Sequence, residues 1–106
     1  MKILIVDDER AIRNSLKEIL GDEGYDVDVA EDGATALAMV DKERYNVIFC
    51  DIKMPGMDGT EVLDKMVAEG IDSAIVMISG HGDIDTAVEC IKKGAFDFIQ
   101  KPLDLN

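Results

Sequence analysis

The residues best suited to chemistry stand directly after short strand-like runs. Asp7-Asp8 follow Ile3–Val6, Asp51 follows Val47–Cys50, Ser79-Gly80 follow Ala74–Ile78, and Lys101-Pro102 follow Phe96–Gln100. If these runs lie side by side and point the same way, three carboxylates, a hydroxyl and an ammonium meet at one edge. Three clustered carboxylates repel one another and need compensation at neutral pH. A hard divalent cation such as Mg2+ meets that need with oxygen ligands, one or two of them carboxylates and the rest largely water. Lys101 could neutralise part of the remainder. Such a set suits an incoming phosphoryl group: the metal offsets its charge, and Lys101 and Ser79 are aimed at its oxygens. A carboxylate among them can act as nucleophile and form an acyl phosphate. Each residue alone has a plainer reading. Asp7-Asp8-Glu9 could complement a helix N-terminus, Asp51 could serve the turn at Met54-Pro55-Gly56, Ser79-Gly80 could be loop, and Lys101 a solvated charge. Their shared position after successive strands makes the joint reading the stronger one.

The elements that must position them alternate. Continuous apolar runs rich in β-branched residues at Ile3–Val6, Val47–Cys50 and Ala74–Ile78 predict strands buried on both faces. Tyr25–Ala30 alternates apolar with acidic residues and suits a strand nearer the sheet edge; Phe96–Gln100 predicts a fifth. Between them, Ile12, Leu16, Ile19 and Leu20 follow a helical period that Gly21 and Gly24 should stop. Ala34, Leu37, Ala38 and Val40 mark a second helix. Asp58-Gly59-Thr60-Glu61 resembles a capping box before Val62, Leu63, Met66 and Val67, with Gly70 as the stop. Asp83 or Asp85 should cap a fourth helix carrying Ile84, Ala87, Val88 and Ile91, with Lys92 and Lys93 in its last turn and Gly94 after it. Strand–helix alternation predicts an α/β fold with a parallel sheet and right-handed crossovers. In such sheets ligands bind outside the carboxyl ends of the strands.

The chain has 106 residues and a net charge of −12, which allows one domain and argues against a protein that neutralises nucleic-acid phosphates or anionic lipid. Its apolar runs are far shorter than the roughly 20 residues a bilayer requires, and Met1-Lys2 does not open a secretory signal. Cys50 and Cys90 form no metal-ligand spacing and read as reduced, half-buried thiols of a cytoplasmic protein.

The motifs Ile3-Leu4-Ile5-Val6-Asp7-Asp8-Glu9, Asp51-Ile52-Lys53-Met54-Pro55-Gly56-Met57-Asp58-Gly59, Ile78-Ser79-Gly80 and Lys101-Pro102 resemble those of the receiver domain of bacterial two-component response regulators, over nearly the whole chain. That resemblance implies a flavodoxin-like three-layer sandwich around a five-stranded parallel sheet of order 2-1-3-4-5. It implies that Asp51 is the phosphoacceptor for a sensor histidine kinase. It further implies that Asp8 binds Mg2+ directly and Asp7 largely through water, that the Lys53 backbone carbonyl is a further metal ligand, and that Ser79 and Lys101 hold the phosphoryl oxygens. The Lys101-Pro102 bond would be cis. Phe98 stands where the family places its switch aromatic: Ser79 moves toward the phosphoryl group, Phe98 swings inward, and the face around the fourth helix and fifth strand changes. Lys53 and His81, two residues beyond Asp51 and Ser79, flank the site, and His81 also reads as a solvated loop imidazole. The run from Gly80 to Glu89 with Lys93–Phe98 is most similar to receivers of sigma-54-dependent AAA+ transcription activators, so an output domain of that kind is the expected partner.

Receivers continue past Lys-Pro into a fifth helix, which this sequence does not include. The expectation is therefore a receiver (phosphoacceptor) domain over residues 1–106 that ends before its last helix, exposes apolar sheet surface and forms a homodimer through it. Two other readings differ in class. A Mg2+-dependent phosphohydrolase of the haloacid-dehalogenase type would use Asp51 as nucleophile but needs an aspartate two residues later, where Lys53 stands. A flavodoxin-like redox protein needs a phosphate-cradling loop after the first strand, where Asp7-Asp8-Glu9 would repel the phosphate.

Overall fold

The computed structural model describes residues 1–103. Its elements run β1 (Lys2–Val6), α1 (Arg10–Asp22), β2 (Asp26–Ala30), α2 (Gly33–Lys42), β3 (Val47–Asp51), α3 (Gly59–Ala68), β4 (Ala74–Ser79), α4 (Ile84–Lys93) and β5 (Asp97–Gln100). All neighbouring strands pair in parallel, in the order β2-β1-β3-β4-β5. The weakly apolar β2 takes one edge, as its acidic alternation predicts, and β1, β3 and β4 fill the centre.

Side-chain parity builds the layers. Leu4, Val6, Ile48, Cys50 and Met77 point to the face covered by α2, α3 and α4. Ile3, Ile5, Val27 and Ile78 point to the other face, against Leu16 of α1. Each large apolar side chain so buried contributes about 1.5–3 kcal/mol before entropy is counted. On the second face Val47, Phe49, Ile99 and Leu103 are half-buried and pack against that cluster.

Register turns this topology into a site. Val6 pairs with Cys50, Asp51 with Ile78, and Ser79 with Gln100. Asp7, Asp51, Ser79 and Lys101 are therefore neighbours along one rim although they span nearly the whole sequence. The Lys101 amide extends the ladder by donating to the Ser79 carbonyl at 2.8 Å. The Lys101-Pro102 peptide is cis.

Several local expectations need correction. Gly21 lies inside α1, which runs to Asp22; the stop is Gly24, whose φ of +92° suits a residue without Cβ. β2 begins at Asp26 and β5 at Asp97, leaving Tyr25 and Phe96 outside and exposed. Asp58 and Asp83 occupy N-cap positions but neither side chain caps its helix. At α3 the first amide is instead held by the strand end, Gly59 donating to the Ile52 carbonyl at 2.7 Å. The working side-chain cap is Asp32 on Thr35 of α2. In α3, Val67 faces solvent, and in α4 the sheet takes one edge of the apolar arc, burying Ala87 and Cys90 while Ile84, Val88 and Ile91 stay exposed. Both cysteines are fully buried rather than half-buried, and burial pushes both thiols up, away from the reactive thiolate.

Gly59 is a close-approach glycine: a Cβ there would lie 2.0 Å from the Asp51 carbonyl oxygen. The start of α3 and the carboxyl end of β3 cannot both keep their places around a larger residue. Gly59→Ala should destabilise the protein by about 2–4 kcal/mol in urea unfolding. A change within about 0.5 kcal/mol would show that the contact relaxes freely.

Candidate functional site

Lys101 is the hub of the rim. Its ammonium lies 2.8 Å from Glu9 Oε1, 3.4 Å from Asp7 Oδ2 and 3.5 Å from Asp51 Oδ2. The Lys101 side chain is largely buried and anchored at its backbone by β4. Asp7 has no exposed surface. Its Oδ1 accepts the Glu9 amide at 2.8 Å, while its main-chain oxygen accepts the Arg13 Nη1 at 2.8 Å. Its Oδ2 is buried with no hydrogen bond from another protein group, facing Lys101 across 3.4 Å. Asp51 is 4% exposed, and Asp8 is exposed at the mouth. Asp7, Asp8 and Asp51 each offer one carboxylate oxygen within 4.8 Å of the others.

The electrostatics follow from this crowding. Burial, then the charge of Asp7, push Asp51 up to about 7; Lys101 works the other way, and Asp8 adds to the rise. Burial also raises Asp7, against the Glu9 amide and Lys101, which lower it. For Lys101, burial would lower its pKa, but the hydrogen bond from its ammonium to Glu9 and the charges of Asp51, Asp7 and Glu9 outweigh it, and the pKa is raised. One ammonium faces more carboxylate charge than it can neutralise. A buried carboxylate oxygen without a donor and two neighbouring carboxylates are a donor set that suits a hard divalent cation, so the residues present fit Mg2+.

Ser79 is fully buried at the end of β4, and no protein group hydrogen-bonds its Oγ. It is one residue beyond the partner of Asp51 in the sheet, which places Ser79 at the same end of the strands. Phe98 is half-buried, pairs with Met77 in the sheet and packs toward the α2–α4 side. Lys53 is exposed in the loop after β3, and its ammonium lies 3.5 Å from Asp83 Oδ1. The Asp83 carboxylate makes this contact rather than a cap bond on α4, and it links the loop after β4 to the loop after β3. His81 is exposed and lines, with Glu9, Ile12, Lys101, Pro102 and Leu103, a groove of about 480 Å³ beside the rim.

The sequence gives Arg13 no role, Asp83 only that of a helix cap, and Glu9 only a place at a helix start. For Glu9 the signal is its place in Asp7-Asp8-Glu9, where a plain N-cap reading absorbed it; Glu9 does stand at the N-cap of α1, but its side chain makes no cap bond.

Because the folded state holds the Asp51 proton more tightly than the unfolded state does, this group's contribution to stability is present at low pH and is lost as pH rises from about 4 to 7. Without divalent ion, the stability advantage of Asp51→Asn over the parent should grow by about 2 kcal/mol between pH 5 and pH 8. Saturating Mg2+ should remove much of it. Thermal or urea unfolding at both pH values checks this, and a pH-independent difference would contradict the electrostatic account.

Comparison with known proteins agrees with the geometry. Residues 3–106 match the response regulator receiver domain. The chain is 50% identical over 104 residues to the nitrogen assimilation regulatory protein NtrX of Azorhizobium caulinodans, covering 96% of this chain and 23% of that protein. It is 38% identical to the sporulation initiation phosphotransferase F of Bacillus subtilis, over 99% of this chain and 85% of that protein. It spans half of the transcriptional regulatory protein FixJ of Bradyrhizobium diazoefficiens, at 36% identity over 96% of this chain. Among solved structures, the receiver domain of NtrX from Brucella abortus superposes with a TM-score of 0.92 at 43% identity, covering 97% of this chain and 88% of that one. Sheet order, rim geometry and sequence thus converge, and the chain belongs to the response regulator receiver domain family.

Proposed function

We propose that residues 1–106 act as a phosphorylatable receiver in which Asp51 accepts a phosphoryl group from a sensor histidine kinase. The observation that carries this is a Lys101 ammonium 3.5 Å from the buried Asp51, beside two more aspartates and a buried hydroxyl without a protein partner. An Asp51 carboxylate oxygen attacks phosphorus. The O–P bond forms as the P–N bond of the donor phosphohistidine breaks, and the imidazole leaves with the electron pair. Asp8, Asp7, Asp51 and the Lys53 carbonyl would hold Mg2+, which supplies charge compensation to the transferring group. Lys101 binds a phosphoryl oxygen as a charge-assisted donor, and Ser79 gives its hydroxyl to another. Hydrolysis reverses the charge change: water attacks phosphorus, the acyl O–P bond breaks with its electron pair returning to the Asp51 carboxylate, and inorganic phosphate and a proton leave.

The added charge biases a two-state equilibrium through Ser79 and Phe98. Phe98 has no hydroxyl, so this coupling rests on packing. The exposed Ile84, Val88 and Ile91 of α4 supply the apolar surface near β5 through which the state is read. The reader is an output domain or partner, of the sigma-54-dependent AAA+ kind, controlling transcription; the regulatory protein AtoC of Escherichia coli is 35% identical over 99% of this chain. No helix among the described residues is long and apolar enough to cross a membrane, which suits a cytoplasmic protein. The half-buried Val47, Phe49, Ile99 and Leu103 support a homodimer joined through that sheet face. A phosphohydrolase that uses Asp51 on an external substrate gains no support, since Lys53 occupies the position its acid–base aspartate needs.

Incubation with Mg2+ and acetyl phosphate should add one phosphoryl mass to the parent and to Phe98→Ala, and none to Asp51→Asn. Hydrogen exchange at α4 and β5 should change on phosphorylation of the parent and change less in Phe98→Ala, and sedimentation should show a dimer. Uptake by Asp51→Asn overturns the phosphoacceptor assignment, loss of uptake in Phe98→Ala overturns its switch role, and a monomer overturns the dimer.

A further inference from the structure

The shortest contact of the Lys101 ammonium is to Glu9, not to the aspartates. Glu9 Oε1 lies at 2.8 Å, against 3.4 Å for Asp7 and 3.5 Å for Asp51. The three partners differ in what it costs to release them. The Asp7 and Asp51 side chains are 0% and 5% exposed and fixed by the strand ends, whereas that of Glu9 is 56% exposed. An ion pair with so exposed a partner is screened by water and weak, and so exchangeable. Glu9 also forgoes the local role its position offers. At the N-cap of α1 it makes no side-chain cap bond and reaches instead to a lysine 92 residues away. Among the described residues it makes no other ion pair. Its backbone amide meanwhile bonds Asp7 Oδ1, so its main chain is fixed to the acidic rim from which its side chain reaches out.

We propose that Glu9 is a positioning residue that holds Lys101 in the resting state and sets how readily the ammonium transfers to a phosphoryl group on Asp51. This rests on the proposed phosphorylation of Asp51. A phosphoryl group carries about −1.5 to −2 of charge, in place of the −1 of an ionised Asp51 carboxylate. It competes with Glu9 for Lys101 and repels the Glu9 carboxylate toward the groove that Glu9, His81 and Lys101 line. The pair is thus a latch on the phosphoryl-binding lysine. Releasing it is part of the cost of phosphorylation, and re-forming it favours the dephosphorylated state.

The test is a set of phosphorylation rates with acetyl phosphate and saturating Mg2+, with fold integrity checked by thermal unfolding. Glu9→Gln should take up phosphate about 2–5-fold faster than the parent and lose it more slowly. Glu9→Asp keeps the charge but is one methylene shorter, so it should behave like Glu9→Gln. In a Lys101→Ala background, where uptake is slower, Glu9→Gln should have no further effect, as a residue acting through Lys101 requires. A parent-like Glu9→Gln, a parent-like Glu9→Asp, or an undiminished Glu9→Gln effect without Lys101 would each overturn the latch. Asp51→Asn run alongside separates the two claims: Asp51-dependent uptake that Glu9 variants leave unchanged sinks the latch alone, whereas uptake by Asp51→Asn sinks the phosphoacceptor reading beneath it.

Discussion

One positive charge facing too much negative charge, at the rim of a parallel sheet, is the constraint on which the rest of the molecule turns. Lys101 lies within 3.5 Å of three carboxylates, two of them buried, and Asp8 stands beside them. Folding therefore assembles a region that is under-neutralised until something else arrives. A cation would ease the carboxylate repulsion, and in the proposed reaction a phosphoryl group would give Lys101 and Ser79 a partner. The site is poised because it is incompletely satisfied, and the unpartnered buried atoms on Asp7 and Ser79 record that.

The sheet holds the charges against their repulsion. Parallel pairing with little stagger puts the residue after each strand on the same rim, and the buried β1, β3 and β4 supply the apolar contacts that keep those ends from separating. Gly59 belongs to this framework because α3 begins in contact with the Asp51 carbonyl. Arg13 belongs to it because it ties α1 to the Asp7 carbonyl. The Lys53–Asp83 contact joins the two loops that border the rim. The apolar flank of α4 lies outside this framework, which leaves it free to present a surface.

What could be read from residues alone was whatever depends on period and on position after a strand. Three apolar runs predicted the central strands, and the residues following them, Asp7, Asp51 and Ser79, predicted the rim, to which Lys101 was added by its place after the fifth strand. The sheet order came from the motif resemblance, since alternation alone leaves strand order open. What could not be read depended on packing geometry. The apolar positions of α4 specify an arc but not which edge of it the sheet takes: Ala87 and Cys90 are buried, and Ile84, Val88 and Ile91 are exposed. Asp58 and Asp83 have good cap chemistry, but a strand carbonyl and Lys53 offered alternatives that arise only in the folded chain. Glu9 was hidden for the same reason, its partner being 92 residues distant.

The central claim is that the crowded carboxylates form one site for a divalent cation and that Asp51 belongs to it. Calorimetric titration of the protein with Mg2+ tests this most directly, in parallel with Asp8→Asn and Asp51→Asn. The parent should bind saturably at a single site, and binding should weaken at least tenfold in either variant, because each removes one of three clustered oxygens. Equal affinity in all three proteins, or no saturable binding in the parent, would contradict it.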